Sequence, residues 1–116
     1  MYYTPYALPQ ILNSHSPQFV NKDGNKIMNE AISFDIEVTS TYYGEKKIAF
    51  MYVWMLDIFD KTIIGRTWPD FIQTMNMISE YYDLKGIKKR IIVYVHNLAY
   101  EFSFIRRWFK WVKVFA

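Results

Sequence analysis

The sequence predicts an α/β domain: a three-stranded antiparallel meander, a crossover helix, a parallel strand, a second helix and a last short strand. Three observations carry this. Residues 31–65 form β-type runs joined by short polar turns, the hydrophobic period switches to 3.6 at Trp68, and residues 90–95 (RIIVYV) are unbroken in apolarity yet too short for a helix.

Residues 1–30 differ from the rest. They hold three of the four prolines (Pro5, Pro9, Pro17) and the turn Lys22-Asp23-Gly24-Asn25. They are expected to form an irregular arm, lying on the domain or crossing to a partner. One hairpin is expected in it, Gln18-Phe19-Val20 against Lys26-Ile27-Met28. Residues 31–39 (AISFDIEVT) then read as a strand and residues 41–46 as a Gly-containing turn. Residues 47–58 (KIAFMYVWMLDI) look like a strand covered on both faces, and Phe59-Asp60-Lys61 turns the chain into a short strand over 62–65. Trp68, Phe71, Ile72, Met75, Ile78 and Tyr82 share one helical face. Thr67 is the expected N-cap, with Asp70 three residues on and Gly86 past the end. Asn97 caps a helix over 98–109, and residues 111–115 form the last strand.

Composition sets the outer bounds. A length of 116 residues suits one domain, and 52% hydrophobic with 20% aromatic residues excludes disorder for want of buriable surface. The 14 basic and 11 acidic residues leave a charge of +3. With no cysteine, a disulfide scaffold and a cysteine-ligated zinc site are excluded, and a reducing compartment is permitted. No apolar run approaches the roughly 18 to 20 residues that span a bilayer, and the N-terminus lacks a secretory signal pattern. The expected location is cytoplasmic, without a membrane partner.

Two constellations bear chemistry. Asp35 and Glu37 are two apart on a strand, so their carboxylates project from one face while Phe34, Ile36 and Val38 face the other way. Paired anions on an otherwise apolar strand call for a cation, and a hard divalent ion held by oxygens, Mg²⁺ or Mn²⁺, meets the need. A solvated strand end, or a lysine partner such as Lys46 or Lys47, would serve as well. The second constellation is Tyr94-Val95-His96-Asn97-Leu98-Ala99-Tyr100-Glu101, at a strand-to-helix junction of the kind where open α/β sheets bind ligands. Glu101 falls in the first helical turn, where the dipole favours its ionised form. The plain alternative makes Asn97 a cap, His96 a loop histidine and Tyr100 core. If the strands ending at Val95 and bearing Asp35 are neighbours, three carboxylates meet at one sheet edge.

Other features are less specific. Arg106, Arg107, Lys110 and Lys113 interleave with Trp108 and Trp111, and Lys85, Lys88, Lys89 and Arg90 form a second basic stretch. Nucleic-acid surfaces use such pairings, as do ordinary solvated faces. Phe50, Tyr52 and Trp54 read as core, and His15 receives no role. No Gly-rich phosphate loop, Ser-His-Asp order or zinc-binding histidine pair is present.

Taken together, Phe34-Asp35-Ile36-Glu37-Val38-Thr39 and Tyr94-Val95-His96-Asn97-Leu98-Ala99-Tyr100-Glu101-Phe102-Ser103-Phe104-Ile105 resemble the first two exonuclease motifs of the protein-primed family-B DNA polymerases of bacteriophages. Residues 47–54, Ile64-Gly65-Arg66-Thr67-Trp68 and residues 109–116 are also similar to that family, so the resemblance runs from about residue 31 to the end. It implies a ribonuclease H-like 3′→5′ exonuclease domain. In that family's terms Asp35, Glu37 and Glu101 would be the catalytic, metal-binding acids. Two Mg²⁺ or Mn²⁺ ions about 3.5 to 4 Å apart would serve phosphodiester hydrolysis. Tyr94, His96, Asn97, Tyr100 and Phe104 match positions that hold the single-stranded DNA 3′ end or the priming (terminal) protein.

Three departures stand out. Glu101 replaces the family's usual Asp, Val38 replaces its usual Thr, and the third motif and the polymerase domain would lie beyond Ala116. The chain alone is therefore expected to be unable to polymerise, to be weak or inactive as a nuclease, and to self-associate through surface exposed by truncation. The first reading is the N-terminal fragment of a DNA-directed DNA polymerase acting in phage DNA replication, in the host cytoplasm. The alternative is a free-standing, non-catalytic protein derived from this domain that binds single-stranded DNA or a polymerase. A third reading is an unrelated α/β interaction module.

Overall fold

A computed structural model describes residues 2–84 and 89–95, with Ala49, Phe50 and Tyr52 as backbone only. The first segment is more regular than its prolines suggest. It contains strand β1 (Tyr2–Tyr3), a 3₁₀ turn (Pro5–Ala7) and helix α1 (Leu8–Asn13). Pro5 and Pro9 sit at the starts of the 3₁₀ turn and α1, where a missing N–H costs nothing. Leu8, Ile11 and Leu12, spaced for one helical face, are buried. The expected irregular arm is thus corrected to a strand and a short helix docked on the domain. Strands β2 (Phe19–Lys22) and β3 (Asn25–Met28) form the expected hairpin, with Val20 opposite Ile27. Its turn residues Asp23 and Gly24 have φ of 52° and 80°, matching the twist that two-residue hairpins prefer.

The meander follows as β4 (Ile32–Tyr43), β5 (Lys46–Ile58) and β6 (Lys61–Gly65). Both pairings are antiparallel. The turn at Phe59-Asp60 again takes two positive φ values, 50° and 65°. Helix α2 (Trp68–Tyr81) begins at the expected cap: the Thr67 hydroxyl accepts the Asp70 N–H at 3.2 Å.

The run expected as one strand over 90–95 is two, β7 (Lys89–Arg90) and β8 (Val93–Val95), in different sheets. β7 pairs parallel with β3, and β8 pairs parallel with β4. Between them, the Ile92 carbonyl accepts the Ile32 N–H at 3.0 Å. β7 is the basic pair Lys89-Arg90 and β8 the apolar Val93-Tyr94-Val95, and the change of partner is set by pairing with β3 and β4 rather than by a local pattern. The described strands form a mixed sheet ordered β1-β6-β5-β4-β8 and a small sheet ordered β2-β3-β7.

One face of the large sheet is closed by a core of Phe34, Trp54, Leu56, Ile58, Ile63, Phe71 and Ile78, joined by Leu8 and Leu12. The Phe71 ring from α2 lies 4.6 Å from Phe34 and 5.5 Å from Trp54. The other face is only partly covered by described residues. On it Val53 and Met55 are half-buried and Asp57 is exposed. The expected helix over 98–109, the strand over 111–115 and Gly86 lie outside the described residues. Among the described residues, no helix is long and apolar enough to cross a membrane.

Candidate functional site on the carboxylate face of the mixed sheet

Alternation along β4 sends Ile32, Phe34 and Ile36 into the core, at 1%, 1% and 7% exposure. It sends Ser33, Asp35 and Glu37 to the opposite face, where Asp35 is half-buried and Glu37 exposed. Inward packing thus fixes the outward carboxylates, and a one-residue slip would bury both. Two further contacts hold the neighbouring strand. Trp54, opposite Ile36, is fully buried, and its indole N–H donates to the Thr67 carbonyl at 2.9 Å. Gly65 pairs with Trp54, and a Cβ there would fall 2.1 Å from the indole ring.

The pairing sets the surroundings of the acids. Met55 is opposite Asp35 and Val53 opposite Glu37, so their β5 neighbours on this face are apolar. On the other side Tyr94 of β8 pairs with Ser33 and Val95 with Phe34. Partners in a ladder share a face, so Tyr94, which is 62% exposed, stands on the carboxylate side. Val95, the last described residue of β8, lies one residue short of the level of Asp35. His96, Asn97, Tyr100, Glu101 and Phe104 lie outside the described residues.

Sequence reasoning did not single out two features of this face. Asp57 pairs with Ser33 and so adds a carboxylate to it, accepting the Thr62 hydroxyl at 2.5 Å. The ladder register also shifts between Glu37 and Val38, where β5 passes from Val53 to Met51. This bulge at Tyr52 lies immediately beside Glu37. Bulges raise local twist and re-aim side chains, and they recur beside functional sites.

Register excludes Lys46 and Lys47 as partners of these acids. Lys46 and Lys47 pair with Tyr43 and Tyr42, about 25 Å along the strand from Asp35. Among the described residues neither Asp35 nor Glu37 has an ion-pair partner. The Asp35 carboxylate accepts the N–H of Ile36 at 2.9 Å through one oxygen, leaving its second oxygen and the Glu37 carboxylate to ligate. Such an oxygen-only set fits a hard divalent cation. Among the described residues, no group of three or more His, Cys, Asp or Glu is close enough to hold a metal ion.

Other residues weighed on sequence have structural places. Lys89 lies over the Phe19 ring at 5.4 Å, and Arg90 is in the small sheet with a buried Nε that lacks a partner among the described residues. His15 contacts the Glu30 carboxylate at 2.5 Å and the Phe59 ring at 4.2 Å, tying the N-terminal segment to the domain. Burial, with lesser contributions from Tyr81 and Glu30, pushes the Tyr82 hydroxyl up to about 12. That hydroxyl has no hydrogen-bond partner among the described residues.

Comparison with known protein families, with curated proteins and with solved structures finds no match to this chain.

Proposed function

We propose that the chain carries the metal-binding part of a ribonuclease H-like 3′→5′ exonuclease site, of the kind that the resembling phage DNA polymerases use for proofreading. One observation supports this above others: β8 runs parallel beside β4, and Val95 stands level with Phe34, the residue before Asp35. An acid that follows β8 would then have the shortest route to Asp35 and Glu37, and Glu101 is that acid. The donor set agrees, since Asp35 and Glu37 share a face with no counter-cation among the described residues. Bound Mg²⁺ or Mn²⁺ would lower the pKa of an attacking water and stabilise the departing 3′ oxygen. The chain's own contribution is positional. Phe34 and Ile36 anchor the strand from below, Asp35 and Glu37 hold the ions, and Tyr94 offers a ring on the same face for a terminal base.

Calorimetric titration of the full chain with Mn²⁺ tests the reading. Asp35→Asn should weaken binding by more than about tenfold, a loss that even outer-shell partners of a metal can produce, and Glu101→Gln should weaken it as well. Mn²⁺ binding indifferent to both substitutions, in variants with unchanged circular dichroism, overturns it. Single-strand binding by a chain that binds no Mn²⁺ would favour the alternative, a non-catalytic binder derived from this domain.

A further inference from the structure

The β4–β5 hairpin extends well beyond the described strands that flank it. Among the described residues, β6 pairs with β5 from Trp54 to Ile58, and β8 pairs with β4 from Ile32 to Phe34. From Thr39 to Ile48 every residue is exposed, with Tyr42 at 67%, Tyr43 at 71% and Ile48 at 39%. A two-stranded ribbon exposed on both faces buries too little to be explained by stability alone.

Its side chains are ordered by the same alternation that orders the acids. Continuing from Asp35 and Glu37, the face carries Thr39, Thr41 and Tyr43 on β4. Ile48 and Lys46 stand opposite Thr41 and Tyr43 on β5. The opposite face carries Ser40 and Tyr42, with Lys47 opposite Tyr42. A track of hydroxyls, one aliphatic side chain, one phenol ring and one ammonium therefore leads about 20 Å from Glu37 to the ribbon tip. Hydroxyls and an ammonium suit phosphate oxygens, and a ring with open faces suits a base, which is the pairing that single strands use.

We propose that this face of the ribbon is a docking track for single-stranded nucleic acid, holding the nucleotides that precede the terminus bound at Asp35 and Glu37. The inference rests on the exonuclease reading for the placement of that terminus. The Tyr43/Lys46 face makes the contact, and the Tyr42/Lys47 face does not.

The test is fluorescence anisotropy of a short labelled oligothymidylate with the full chain, without divalent metal, over a series of salt concentrations. Tyr43→Ala should weaken binding about tenfold, as the loss of one base-stacking ring does. Lys46→Gln should flatten the slope of log affinity against log salt by about 0.7, the value for one lost phosphate contact on a single strand. Tyr42→Ala and Lys47→Gln should change neither quantity. Equal losses from both faces, or binding by the unmodified chain that none of the four substitutions alters, overturn the track while leaving the exonuclease reading standing. No binding by the unmodified chain even at low salt removes both.

Discussion

The two halves of the β4–β5 hairpin share strands, register type and β-forming residues, yet they differ in nearly everything else. In the near half, Phe34, Ile36, Trp54 and Leu56 are buried against α2, and β6 and β8 flank the pair. In the far half, Thr39 to Ile48 are all exposed. Strand propensity alone therefore does not distinguish framework from appendage. Support from a helix and from flanking strands does, and the bulge beside Glu37 lies close to where that support ends.

The contrast can be broken by substitution. The largest expected effect is in the near half, where Trp54→Ala removes a fully buried ring and its bond to Thr67. It should cost about 3–5 kcal/mol in urea unfolding. A loss below about 1 kcal/mol would mean that the near half is not the framework described. Gly65→Ala comes next. Its methyl would meet the indole at 2.1 Å, and since the ring is held by Thr67 and Phe71 it cannot swing aside freely. A loss of about 1–3 kcal/mol is expected, with a shift in tryptophan fluorescence.

Tyr82 sharpens the picture through pH. Its folded pKa is raised from 10.0 to about 12 chiefly by burial, so the folded chain bears no ionisation penalty below pH 10 and acquires one as the pH climbs through about 12. Within that window the unfolded chain has released a proton that the folded chain retains, and stability falls by up to about 1.4 kcal/mol per pH unit. Unfolding of Tyr82→Phe at pH 8 and pH 11 should lack this component of the decline. At pH 8 the substitution should be neutral or slightly stabilising, because the hydroxyl is buried without a partner among the described residues. The smallest effect belongs to the far half, where Tyr43→Ala should move stability by less than about 0.5 kcal/mol. A larger change would show that the ribbon contributes to the framework.

Much of this architecture is legible in the residues because it is local. Asp23-Gly24 specifies its hairpin, Thr67 and Asp70 specify the start of α2, and period two puts Asp35 and Glu37 on one face. α1 was also legible, since Leu8, Ile11 and Leu12 hold helical spacing, but the neighbouring prolines obscure it. What stays hidden depends on distant pairing. Met51 and Trp54 are both buried at a spacing of three, a phase slip that a uniformly apolar run cannot display. The division of β7 from β8 is also hidden, because the pairing of Lys89 and Arg90 with β3 is set by distant residues. Tyr94 and Asp57 reach the carboxylate face only through cross-strand register with Ser33, which no local pattern encodes.

That division has a mechanical consequence. Two residues, Ile91 and Ile92, separate a rung of the small sheet from a rung of the large one, and Ile92 is itself bonded to Ile32. Such a link has no slack. The N-terminal hairpin is thereby hitched to the rail on which the acids ride, and tension applied at one would be felt at the other.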